Sequence, residues 1–169
     1  MLDVVKGEGN FRGIGITANR DFKKDEVVIP YHLRELTREE FLALPKNKHA
    51  FVHSFWGKRY LFEGNSKYTN HSSNPTTYQD LGRMADVALR DIRKGESITT
   101  NATQEIKNEI TTFLEAYEKE STVRNIQWQK LGYRNAKCTY LCDDQSKTVT
   151  MKRIDGNWEI LNTGSTPTP

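Results

Sequence analysis

Tyr68-Thr69-Asn70-His71-Ser72-Ser73-Asn74-Pro75 is the densest polar stretch of the chain. Amide, imidazole and hydroxyl side chains stand side by side before an Asn-Pro step. Such residues bond to nearby backbone and favour turns. The stretch therefore reads either as a self-satisfied polar turn or as a cradle for a small polar ligand. Upstream lies Arg12-Gly13-Ile14-Gly15-Ile16. Two glycines flanking one residue let a backbone approach a ligand closely, or mark a turn or bulge entering a strand. The third glycine of a dinucleotide fingerprint is missing and no helix follows. Downstream, Ala88-Leu89-Arg90-Asp91-Ile92-Arg93-Lys94-Gly95-Glu96-Ser97-Ile98-Thr99 reads as strand, charged turn and strand.

Around these motifs the first hundred residues predict short strands: Gly13 to Ala18, Glu26 to Ile29 stopped by Pro30, Tyr60 to Phe62, Asp86 to Leu89 and Ser97 to Thr100. Thr37-Arg38-Glu39-Glu40 is a capping box for a short helix that Pro45 ends. From about Thr103 or Gln104 to Lys119, Ile106, Ile110, Phe113, Leu114 and Tyr117 recur at helical spacing. Three strands are expected after it, Lys137 to Leu141, Thr148 to Arg153 and Trp158 to Leu161, with Asp155-Gly156 as a hairpin turn. Thr163 to Pro169 reads as a disordered tail.

The chain has 169 residues, 36 % of them hydrophobic and 28 % charged, with a formal net charge of +3. Residues 1–103 carry 16 basic and 13 acidic side chains, and residues 104–169 carry 9 of each. Nucleic acid is not indicated by this balance. No apolar run approaches the roughly 20 residues of a membrane span, and no secretory signal is expected. Cys138 and Cys142 are too few for a disulfide framework or a four-cysteine zinc site, so no metal is expected. These features suit an intracellular protein, cytoplasmic or nuclear.

In order and spacing the three motifs resemble the SET domain, the fold of protein-lysine methyltransferases. Gly13 to Val28 is similar to the family's opening, a Gly-x-Gly, a strand and an Arg-Asp-Ile-x-x-Gly-Glu-Val turn. Tyr68 to Pro75 resembles its Arg-Phe-x-Asn-His-Ser-Cys-x-Pro-Asn signature, with Ser73 at the cysteine position and Lys67 at the arginine position. Leu89 to Thr99 resembles its closing Arg-Asp-Ile-x-x-Gly-Glu-Glu-Leu-Thr. The likeness covers about residues 5 to 103.

The resemblance implies a mostly-β fold of small β-clip sheets with a pseudoknot-like closure at residues 1–103. A C-terminal helix and small antiparallel meander at 104–162 would pack on that core as a lid, and 163–169 would be the tail. It implies S-adenosylmethionine as cofactor, held by the backbone of Gly13, Ile14 and Gly15 and by Tyr68, Asn70 and His71. The substrate would be a lysine of a protein or peptide. At the family's catalytic tyrosine this chain has Ala102, which supplies no hydroxyl. The resemblance therefore implies a weakened or inactive transferase, or a cofactor- or peptide-binding module. Tyr60 is the first substitute hydroxyl, with Tyr68 and Tyr78 behind it. Trp128 is either a lid over the adenine or an anchor for the helix.

Overall fold

The computed structural model describes residues 3–11, 13–119 and 121–165. In chain order the strands are β1 (Val4–Phe11), β2 (Ile14–Ala18), β3 (Val27–Pro30), β4 (His32–Leu36), β5 (Val52–Phe55), β6 (Lys58–Glu63), β7 (Asn70–His71), β8 (Thr77–Asp80), β9 (Ala85–Ala88), β10 (Ser97–Thr100), β11 (Val123–Leu131), β12 (Asn135–Cys142), β13 (Gln145–Ile154) and β14 (Asn157–Ser165). The helices are α1 (Arg38–Ala43) and α2 (Ala102–Tyr117). The protein is thus mostly β, built from several small sheets. Among the described residues no helix is long and apolar enough to cross a membrane. The chain divides into two compact units, residues 1–34 with 62–102 and residues 35–61 with 103–169.

The first unit holds a four-stranded sheet of order β1-β2-β10-β7 and a three-stranded sheet of order β3-β9-β8. Its core is Val4, Ile16, Ala18, Phe22, Val28, Ile29, Ala88, Ile92 and Ile98. Two related turns organise it, Arg20-Asp21-Phe22-Lys23-Lys24-Asp25-Glu26 and Arg90-Asp91-Ile92-Arg93-Lys94-Gly95-Glu96. They bond reciprocally. Phe22 N donates to Ile92 O at 2.8 Å and Ile92 N to Phe22 O at 2.9 Å. Lys24 N donates to the Asp91 carboxylate at 3.0 Å, and Lys94 N to the Asp21 carboxylate at 2.7 Å. Each arginine pairs with the glutamate six residues on, Arg20 with Glu26 and Arg90 with Glu96. The sixth residue of each turn, Asp25 at φ 66° and Gly95 at φ 92°, takes left-handed backbone.

In the second unit the capping box closes α1 as its sequence predicts: Glu40 N donates to Thr37 Oγ1 and Thr37 N to the Glu40 carboxylate. The stripe of α2 buries Ile110 and Leu114 against Ala136, Cys138, Tyr140, Cys142, Val149, Met151 and Trp158. The expected three-strand meander is a four-stranded sheet of order β11-β12-β13-β14. Two register shifts in β11 break the period-two pattern by which the sequence would have announced that strand. Cys138 and Cys142 are free, buried thiols on β12. Trp128 is partly buried against the α2–sheet cluster. Asp155-Gly156 forms the β13–β14 turn with φ 47° and 77°, as a type I′ hairpin requires. Thr163 to Ser165, expected in a disordered tail, continue β14 by pairing with Val149, Thr148 and Lys147. The ten-residue β13 supplies those ladder partners. The rest of the tail, residues 166–169, lies outside the described residues.

Residues 35–61 meet the rest of this unit at the β13–β14 turn, where Arg38 pairs with Asp155 and Asn157 donates to Gly57 O, and at one buried carboxylate. Glu109, on α2, is 1 % exposed. It accepts from His53 Nδ1 at 2.9 Å, Arg153 Nη1 at 2.8 Å and Trp158 Nε1 at 2.9 Å. Arg153 also donates to Val52 O at 2.6 Å. Burial alone would raise the Glu109 pKa, but the His53 bond and the Arg153 charge outweigh it and hold the carboxyl below its ordinary value. The ionised group therefore stabilises the fold above the ordinary carboxylate range, and the contribution is lost as pH falls through the depressed value. Glu109→Ala should lower the unfolding free energy at pH 7 by about 3–5 kcal/mol, the cost of leaving a buried partner charge alone. It should also shrink the loss of stability between pH 7 and pH 3. Urea unfolding at both pH values tests this, and an unchanged midpoint at pH 7 would count against it.

Candidate functional site

The polar stretch at 68–75 takes its place through β10. Strand β7 runs parallel to β10, with Asn70 opposite Thr99 and His71 opposite Thr100. On its other side β10 runs antiparallel to β2, with Ile98 opposite Ile16. The chain after His71 stays on β10. Ser72 N donates to Thr100 O at 2.8 Å, Thr76 Oγ1 to Ser97 O at 3.2 Å, and Thr77 Oγ1 to Thr99 O at 3.0 Å. Asn74 N donates to Ser72 Oγ, which closes the turn before Pro75.

Asn70 is 9 % exposed, and its Nδ2 donates to Ile14 O at 3.1 Å, gripping the glycine hairpin from β7. That approach explains two glycines. A Cβ on Gly9 would lie 2.2 Å from Asn70 Nδ2 and 2.4 Å from Ile14 O; one on Gly15 would lie 2.7 Å from both Asn70 Nδ2 and Glu8 O. Gly13 differs: it is exposed at φ +74° with open space around it. A cavity of about 340 Å³ borders the hairpin, lined by Glu8, Gly9, Ile16, Asn70, Ser97, Ile98 and Thr99.

The remaining expected residues lie as follows. Tyr68 is half-buried against the first unit's core, with Lys6 Nζ 4.6 Å and Lys67 Nζ 5.0 Å from its ring centroid. His71 is exposed, and its Nδ1 accepts from Ala102 N at 2.9 Å. That bond requires a bare Nδ1, which puts the proton of the neutral ring on Nε2. It also satisfies one of the unpaired N–H groups at the start of α2. Ala102 is thus tied by its backbone to the motif and offers only a methyl group. Tyr78 is half-buried on β8 opposite Val87. Tyr60 belongs to the second unit, on β6 opposite His53.

One hydroxyl near the motif escaped the sequence reading. Tyr31 donates to Asp86 Oδ1 at 2.5 Å, and the same buried carboxylate accepts from Thr69 at 3.4 Å. Tyr31 and Asp86 are 55 residues apart, and no local pattern joins them. Gly9 was equally silent, since its neighbour Asn70 is distant in sequence.

The motif order is matched by a family. Residues 13–101, just over half of the 169-residue chain, match the SET domain family model. The chain belongs to the SET domain family. This is a methyltransferase fold. Among solved structures, a Plasmodium falciparum protein described as a candidate histone methyltransferase is similar at 19 % identity and a TM-score of 0.48. The match covers 60 % of this chain and 94 % of that one. A humanized mutant of the Polycomb Repressive Complex 2 of Chaetomium thermophilum, bound to an inhibitor, is similar at 20 % identity and a TM-score of 0.48. That match covers 60 % of this chain and 15 % of the other. No curated protein matches the chain.

SET domains use S-adenosylmethionine, a zwitterionic amino acid joined to adenosine. The residues present suit such a group. The Gly13 backbone is open, the neighbouring cavity is lined by a carboxylate, an amide and hydroxyls, and two ammonium groups flank the Tyr68 ring. The Asn70 clamp should also hold the fold. Asn70→Ala should cost about 1–3 kcal/mol by stranding the Ile14 carbonyl, and Gly9→Ala should lower the unfolding midpoint as well by forcing β1 off Asn70. Both effects are read by guanidinium unfolding, and parent-like midpoints in both variants would contradict the clamp.

Proposed function

We propose that this SET domain protein binds S-adenosylmethionine and transfers its methyl group to a lysine of a protein or peptide inside the cell, slowly because Ala102 stands at the tyrosine position. The observation that carries the reading is the Asn70 clamp on Ile14, with Ala102 tied to His71. It joins all three family motifs around β10.

In this reading the cofactor lies against the backbone of Gly13, Ile14 and Gly15 and against Tyr68, Asn70 and His71. When bound it supplies a methyl group on a cationic sulfonium, open to attack by a neutral amine. Asn70 presets the hairpin, so less ordering remains to be done on binding. The ammonium groups of Lys6 and Lys67 favour the anionic end of a zwitterion. Lysine has a pKa of about 10.4, so on the order of one side chain in a thousand is neutral at pH 7. The chain must desolvate that amine and aim its lone pair. A hydroxyl at position 102 would accept or orient the amine; a methyl group does neither.

The same alanine favours a second reading, a module that keeps the cofactor cradle without transfer. Single-turnover transfer of labelled methyl to lysine-rich peptide pools, parent against Ala102→Tyr, separates the two. A positioned hydroxyl should raise the rate on the order of 10²- to 10⁴-fold, with cofactor affinity little changed. A parent that is already fast and gains nothing would overturn the role given to Ala102. Cofactor binding without transfer by either protein would favour the module.

A further inference from the structure

The balanced charge of residues 104–169 conceals a segregation that strand alternation creates. Strands β11 to β14 carry six basic side chains and one acidic one, whereas α2 carries three acidic and one basic. Of the six, Lys147 and Arg153 turn to α2 and its end, where Glu118 and Glu109 bind them. The other four, Arg124, Lys130, Lys137 and Lys152, point from the opposite face. Register places them there: Lys130 stands directly opposite Lys137, and Lys152 stands opposite Asn135, two residues from Lys137 on the same strand.

Arg124 is paired with Asp144. Lys130, Lys137 and Lys152 are exposed and, among the described residues, form no ion pair. Glu159, the one carboxylate that the strands carry on this face, lies opposite Lys152 in register. Like charges directly opposite across two strands destabilise a sheet. Lysine on the edge strand β11 guards against strand addition, but Lys137 and Lys152 are on the central strands, where that reason is absent. Adjacent strands are about 4.8 Å apart and residues about 3.4 Å apart along them, which places the three lysine backbones within about 12 Å of one another. Between them stand neutral hydrogen-bonding groups such as Gln127, Thr139, Thr148 and Thr150. The three aromatic residues of β11 and β12–β14, Trp128, Tyr140 and Trp158, pack inward.

We propose that this outer face docks the phosphate backbone of duplex nucleic acid. Unpaired lysines supply the charge complementarity, and hydroxyls and amides are the side chains that add phosphate contacts. No ring on the four strands points outward, so the face itself offers no stacking platform, and the contact suits a duplex over a single strand. The exposed Tyr133 stands in the β11–β12 turn, with the Arg153 guanidinium 5.6 Å from its ring centroid. The proposal is independent of the methyl-transfer reading.

Fluorescence anisotropy of the full chain with a labelled mixed-sequence DNA duplex tests it. Three to four phosphate contacts predict an affinity loss of about 40- to 150-fold between 50 and 200 mM salt. Lys137→Gln alone should reduce the slope of log affinity against log salt by about one, with an unchanged circular-dichroism melt. Lys130→Glu, Lys137→Glu and Lys152→Glu together should remove binding at 50 mM. No binding by the parent, parent-like binding by the triple variant, or polyglutamate that competes as well as unlabelled duplex at equal charge would each overturn the proposal, the last in favour of an acidic protein.

Discussion

The pair Phe22 and Ile92, each 1 % exposed, is the point from which the first unit is built. Each lies in the middle of a charged turn, and each bonds to the other's backbone in both directions. The surrounding ion pairs are exposed, and exposed pairs contribute little. Burying the two side chains contributes about 1.5–3 kcal/mol apiece, so the apolar pair decides and the charges set register. The consequence is positional. One turn leads from β2 toward β3 and the other from β9 into β10. Holding them together seats β10 beside β2, and on β10 hang β7, Asn70 and the grip on the glycine hairpin.

The second unit rests on a different device. Glu109 is buried with three donors from β5, β13 and β14, so its charge is fully answered. Such a network adds little over well-packed apolar residues, but breaking one member is costly. It ties residues 35–61, which lie inside the span matching the SET family, to a helix and sheet that follow that span.

Much of the fold was legible where its cause is local. The capping box at Thr37, the period of Ile106 to Tyr117 and the Asp155-Gly156 turn each state their geometry within a few residues. Strand β1 was not legible, because Gly7 and Gly9 dilute its pattern and answer to distant partners, Gly7 to Thr17 across the hairpin and Gly9 to Asn70. Strand β11 hid behind two register shifts. Of the candidate site, the motifs at Gly13 and Asn70 were readable as family likeness. The clamp between them was not, since it spans 56 residues. His53 drew no functional reading from sequence, yet it holds Glu109. The basic face could not be seen in a net charge, because only strand pairing brings Lys130, Lys137 and Lys152 to one face.

The central claim is that the hairpin gripped by Asn70 is a cofactor cradle, and calorimetric titration of the full chain with S-adenosylmethionine tests it most directly. The account predicts saturable binding at one site per chain, weakened in Asn70→Ala by about 5- to 150-fold, the equivalent of one lost hydrogen bond with a stranded partner. Absence of binding to the parent, or equal binding to parent and variant, would contradict it.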